Sequence, residues 1–189
     1  MRLFLAINLA AKLRDQILAA TEPLRDAAPN LAWARAEQLH LTMKFLGDQP
    51  DSLAESLSPG IAVVAAKHGM PLMRLGGIGA FPNFSAPRVV WMGIAPDPRL
   101  ELLHHDVEVA CAAAGVPLDG RPFRPHITLA RVRDTQRTDR AMLEGLSKAA
   151  GSVEFEADVL GRSIDLMRSE LLHDGARHSI LLSAPLRSA

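Results

Sequence analysis

The sequence has no tyrosine, and aromatic residues make up only 4% of its 189 positions. So few rings exclude an extended stacking surface that reads a long single strand, and favour contact with one or two nucleotides at an end. Cysteine is almost absent too: Cys111 stands alone among the alanines of VEVACAAAG. One thiol cannot close an internal disulfide, and the setting it fits is a reducing cytoplasm. Net charge is missing as well, because 21 Lys and Arg balance 21 Asp and Glu. That excludes a generally basic protein that coats duplex nucleic acid. The apolar start MRLFLAINLAAKLRD is broken at Asn8 and Lys12, and no cleavage site follows it. No later stretch approaches the roughly 18 apolar residues of a membrane span, so no membrane association is expected.

What the chain does have is an ordinary apolar fraction of 48%, enough for one domain with a real core. RLFLAINL reads as a buried strand. Residues 10–27 read as an amphipathic helix that Pro23 bends or frays. Short strands follow around Trp33 and from Leu39 to Phe45, then a helix over about 51–68 that Asp51 or Ser52 can cap. MRLGGIGAF and RVVWMGIA read as paired strands across the turn PNFSAP. Helices over about 98–114 and 138–149 flank a strand from His126 to Val132, and two or three strands close the chain. Adjacent hairpin-like pairs with interspersed helices favour an α+β fold with antiparallel sheet.

Two phrases carry the chemistry: HLTMKFLG from His40, and PHITLAR, with His126. Each is histidine, apolar, threonine, apolar. With seven His and five Thr in the chain, random order yields about 0.2 His-x-Thr triplets, and fewer with apolar flanks, so two such phrases are hard to ascribe to chance. Residues i and i+2 of a strand share a face, so His40 with Thr42, and His126 with Thr128, each present an imidazole and a hydroxyl on an apolar backing. Two such strands facing each other suit a phosphodiester. An imidazole works as base or acid near neutral pH, and hydroxyls donate to non-bridging phosphate oxygens. Neither a metal nor a cofactor is required.

These phrases, with WARAEQLH before the first and RVVWMG between them, resemble the two-histidine (2H) phosphoesterase superfamily, and within it the bacterial RNA 2',3'-cyclic phosphodiesterases, also called 2'-5' RNA ligases (LigT or ThpR). The likeness runs from RLFLAINL to SELLHDGARHSILLSAPL. It implies a single domain over residues 1–189 with two interleaved, pseudo-symmetric lobes around a central cleft, one motif strand in each. It also implies metal-independent hydrolysis of RNA 2',3'-cyclic phosphate ends to 2'-phosphate, with reversible 2'-5' joining in some members. His40, Thr42, His126 and Thr128 carry over as the catalytic set, with His126 as base and His40 as acid. Arg131 matches a phosphate-contacting position, although strict alternation from His126 turns it to the opposite face unless the strand ends or bulges near Ala130 or the side chain reaches around from the rim. Many relatives have a tyrosine in the closing strand where this chain has His178, which is left outside the candidate site.

Substrate contacts are expected from Arg124, Phe84 and Lys44 besides Arg131. Lys44 shares the parity of His40 and Thr42, and Phe84 is a ring candidate alongside Phe81 and Trp33, which also suit the core. Six arginines, at 121, 124, 131, 133, 137 and 140, stand against Asp134 and Asp139, a local excess that can guide a polyanion. His104, His105 and Asp106 are consecutive in a helix and fan apart, which disfavours a metal site. The competing functions are a 2H phosphodiesterase for a small cyclic nucleotide phosphate or 2'-5' oligoadenylate, and a non-catalytic RNA-end binding module. A monomer without an obligate protein partner is expected.

Overall fold

The run Arg2–Asn8 forms strand β1. Its Leu3, Leu5 and Ile7 join the main apolar cluster while Phe4 and Ala6 join a second, smaller one, the period-two pattern of a strand buried on both faces. The structure, a computed structural model, describes residues 1–133, 138–173 and 175–188. After β1 come α1 (Ala11–Ala20), α2 (Glu22–Ala27), β2 (Ala32–Trp33), β3 (His40–Asp48), α3 (Ser52–Lys67), β4 (Leu72–Phe81), β5 (Val89–Ile94), α4 (Pro98–Ala113), β6 (His126–Arg131), α5 (Arg140–Ser152), β7 (Glu156–Leu160), β8 (Ser163–Leu172) and β9 (Gly175–Pro185).

The strands make one sheet in the order β7-β4-β5-β6-β3-β1-β8-β9, with β2 added to β6, and every pairing between strands is antiparallel. The α+β class with antiparallel sheet is therefore observed. One face carries the main core: Leu41, Met43, Ile127 and Leu129 of the sheet share a cluster with Leu13, Ile17, Leu57, Ile61, Leu100, Leu103 and Leu146 of the helices. The other face is open around the small cluster of Phe4, Ala6 and Met167. The two halves mirror one another about the seam between β3 and β6. β1 pairs β3 on one side as β5 pairs β6 on the other, each pair joined through helix.

Pro23 does more than fray a helix. It falls in the first turn of α2, where its missing N–H costs nothing, and the chain breaks at Thr21, whose hydroxyl donates to the Ile17 carbonyl at 2.7 Å. The capping expected of Asp51 is not made: it stands before α3 without a side-chain cap. Asp97 and Asp139 do cap α4 and α5, accepting from the backbone of Arg99 and Leu100 and of Met142. Among the described residues no helix is long and apolar enough to cross a membrane.

Candidate active site

β3 and β6 meet at the pair Leu41↔Ile127. Antiparallel register then sets His40 opposite Thr128 and Thr42 opposite His126, with all four on the open face because Leu41 and Ile127 lie in the core. The two phrases, far apart in sequence, thus form one square with the imidazoles on a diagonal. Directly opposed side chains in such a pair are about 5 Å apart at Cβ and diagonal ones about 7–8 Å.

The imidazoles differ in their hydrogen bonding. Nδ1 of His126 lies 2.7 Å from the Arg124 carbonyl oxygen. A carbonyl only accepts, so Nδ1 carries the hydrogen and Nε2 of the neutral ring is left with its lone pair. Nδ1 of His40 is buried without a hydrogen-bond partner. The Gln38 backbone, two residues before His40 as Arg124 is before His126, favours the protonated ring, the form that acts as an acid.

Burial lowers the pKa of both. His40 falls to about 3, through desolvation first, then His178, Arg131 and Arg14 as neighbouring cations, with Gln38 opposing. His126 is lowered by burial and by Arg131, against the Arg124 carbonyl that raises it. Arg131 therefore lies within electrostatic reach of both rings. Of the three ways open to Arg131, the bulge is the one present: Val90 pairs with Ala130 but Trp91 with Thr128, so Leu129 is the extra residue and the alternation reverses after it. Ala130 turns into the core, and Arg131 is exposed on the side of the two rings.

The same device corrects the reading of Lys44. Leu5 pairs with Lys44 and Ala6 with Thr42, so Met43 is the extra residue of β3 and Lys44 is turned away from His40 into the interior. It is 4% exposed, and its Nζ donates to both carboxylate oxygens of Glu108 on α4 at 2.8 Å. Substrate contact is ruled out by that burial. Glu108 also accepts from the backbone of Asp119 at 2.8 Å, and His104 stacks on Phe123 with ring centroids 3.9 Å apart. Lys44 thus serves the back of the site by fastening α4 and the loop that leads into β6.

Phe84 requires a second correction, since it is half-buried against the main core. The ring beside His126 is that of Phe81, edge-on at 5.2 Å between centroids. Arg124 is exposed, with its guanidinium carbon 5.9 Å from the Phe81 centroid. Trp33 serves the core, donating from Nε1 to the Ala28 carbonyl at 2.9 Å. Of the arginine-rich stretch, Arg140 closes on Glu144, while Asp134 and Arg137 lie outside the described residues.

Three contributors were missed. Trp91 is 6.3 Å from His126 and 5.1 Å from Phe81 between centroids. Its ring occupies the space that a Cβ at Gly79 would need, 2.2 Å from that position, so the glycine admits the indole. The buried, apolar Val90 and Met92 on either side of it were a legible signal that Trp91 faces the opposite way. Phe4 stacks on His40 at 4.9 Å, and its parity in β1 was legible too. His178, set aside earlier, meets His40 edge-on at 5.4 Å. Only the position of β9 decides that contact. Among the described residues, no three His, Cys, Asp or Glu side chains are placed to hold a metal ion.

A profile of the 2'-5' RNA ligase superfamily matches residues 13–170. A Thermus thermophilus protein named RNA 2',3'-cyclic phosphodiesterase is 34% identical over 99% of this chain and 91% of its own length. One of the same name from Geobacillus stearothermophilus is 37% identical over 68% of this chain, and the chain spans only 41% of that relative's length. Among solved structures, a protein of Thermus thermophilus superposes with a TM-score of 0.79 at 27% identity, covering 100% of this chain and 99% of the other. E. coli LigT complexed with 3'-AMP gives 0.72 at 26% identity, covering 98% and 97%. With a profile match over most of its length and the paired His-x-Thr strands that first pointed there, the chain belongs to the 2'-5' RNA ligase superfamily.

Proposed function

We propose that the protein hydrolyses RNA 2',3'-cyclic phosphate ends to 2'-phosphate by two-histidine acid–base catalysis. The observation that carries this reading is the register that sets the two imidazoles on a diagonal, with the lone pair of neutral His126 on Nε2 and two hydroxyls completing the square. His126 takes a proton from water as its oxygen bonds to phosphorus. The bond from phosphorus to the 3' oxygen breaks, and His40, in its imidazolium form, delivers its proton to that oxygen and becomes neutral. A 2'-phosphate and a 3'-hydroxyl result, and exchange with solvent resets both rings. Thr42 and Thr128 donate to the non-bridging oxygens, and Arg131 supplies positive charge beside them. The reverse sequence joins an end through a 2'-5' linkage. Both histidines come from one chain, so a monomer suffices. The lone thiol, Cys111, is buried and free, in keeping with a cytoplasmic setting.

Turnover of 2',3'-cyclic AMP to 2'-AMP in the presence of a chelator is the direct test. A 3'-AMP product, or activity that disappears until a divalent ion is restored, refutes the scheme.

The lowered histidine pKa values predict an unusual pH profile. Turnover requires a proton on His40 and none on His126. When the acid's pKa, here about 3, is the lower of the two, the competent fraction peaks between the two values and declines above the higher. Since His126 also lies below the ordinary 6.5, kcat/KM, which reports the free enzyme, is expected to peak below pH 6.5. The maximum of kcat is expected at higher pH, because the bound phosphodiester anion raises the pKa of His40. Steady-state kinetics from pH 4 to 8 checks this, and a kcat/KM maximum above pH 7 contradicts it.

A further inference from the structure

Past the matched bulges, the two motif strands carry different residues on the open face: Phe45 on β3 and Arg131 on β6. Arg131 is a cation. Phe45 begins an apolar row, since it pairs with Phe4 of β1, Phe4 with Met167 of β8, and Met167 with Ile180 of β9. Phe4 and Met167 are buried, whereas the ends of the row, Phe45 and Ile180, are 61% and 55% exposed. The row adjoins the site, because Phe4 stacks on His40 at 4.9 Å and His178 closes against Phe4 at 5.0 Å. The opposite half holds Arg131 and Arg124.

A nucleotide has the matching polarity, with a flat apolar base at one end and an anion at the other. We infer that the exposed ring of Phe45, at the end of the row next to Phe4, is the platform for the base of the nucleotide whose 3' oxygen departs, so that the nucleoside lies on the His40 side of the cleft and the phosphate charge faces Arg131. This rests on the cyclic phosphodiesterase reading, and it agrees with the acid role of His40, because the oxygen that receives the proton belongs to that same nucleoside. Continuity with the site and the absence of charged side chains along the row favour a base over a charged peptide.

Two substrates test the inference: 2',3'-cyclic AMP and the 2',3'-cyclic phosphate of methyl riboside, which has no base. The wild-type protein is expected to prefer the base-bearing substrate in kcat/KM. Phe45→Ala, at an exposed position, is expected to reduce that preference about tenfold, chiefly through KM, as loss of one stacking contact predicts. Ile180→Ser at the far end of the row and Leu118→Ser beyond α4, both at exposed apolar residues, are expected to leave it intact. An unchanged preference in Phe45→Ala overturns the inference while the hydrolysis reading stands. So does concentration-dependent dimerisation that Phe45→Ala abolishes without altering the preference, since the row is then covered by a second copy. No turnover of either substrate by the wild type overturns the hydrolysis reading and the inference with it.

Discussion

His126→Ala is expected to lower kcat on 2',3'-cyclic AMP by at least about 10²-fold, and His40→Ala by a similar factor, as for loss of a positioned acid or base. Neither loss reports unfolding. His126 is half-buried, and its ring lies edge-on to Phe81 without joining the main core. Its distinguishing bond, Nδ1 to the Arg124 carbonyl, serves to aim Nε2. Thr42→Ala and Thr128→Ala are expected to cost less than either histidine, because water or a neighbouring donor partly replaces a hydroxyl. Near-normal turnover in either histidine variant refutes the mechanism, and equal loss in all four with lowered melting temperatures indicates a structural cause. His40→Ala carries a separate signature in stability. The pKa of His40 is near 6.5 when unfolded and about 3 when folded, so the unfolded chain takes up this proton first as pH falls. The native state therefore loses stability from about pH 6.5 down to about 3 on account of this group, and the variant is expected to show a shallower decline there.

Glu108→Ala is expected to destabilise the fold by about 3–5 kcal/mol, the usual result of leaving one partner of a buried ion pair alone. Lys44 and Glu108 have side-chain exposures of only 2% and 9%, so water cannot replace the carboxylate around the ammonium. The Asp119 N–H loses its acceptor as well. Replacing both charges, as Lys44→Met with Glu108→Leu, is expected to recover much of the loss, since a well-packed apolar pair of similar volume is often neutral. Urea denaturation checks both variants, and a single variant within about 1 kcal/mol of wild type refutes the burial argument. A lowered rate in Glu108→Ala below its unfolding transition indicates that the loop from Asp119 to Arg124 no longer holds the carbonyl that aims His126.

The strands β1, β3 and β6 were easy to read, because burial on both faces makes β1 a continuous apolar run, while the one open face of β3 and β6 leaves an alternation in their first residues. Helix ends were read to within a few residues wherever proline, aspartate or glycine marks them. What alternation alone could not supply was the effect of one extra residue in a strand. Met43 and Leu129 are ordinary apolar residues, and nothing local says that each stands out of register. Lys44 was therefore placed on the substrate side by parity, and the phosphate contact expected of Arg131 stood against strict alternation. Phe84 and Phe81 are equally aromatic and lie at either end of one turn, and only the course of that turn brings Phe81 to His126.

By itself the sequence determined the family and the four polar side chains that stand together on one apolar backing, because two His-x-Thr phrases on strands allow few other arrangements. Only the tertiary structure decided that Nδ1 of His126 is held by the Arg124 carbonyl, which of Lys44 and Arg131 lies on the open face, and that His178 stands against His40. Each of those depends on register and on contacts between residues distant in the chain, such as Lys44 with Glu108, and hydrogen-bond geometry across strands is set by packing of the whole sheet rather than by any local pattern.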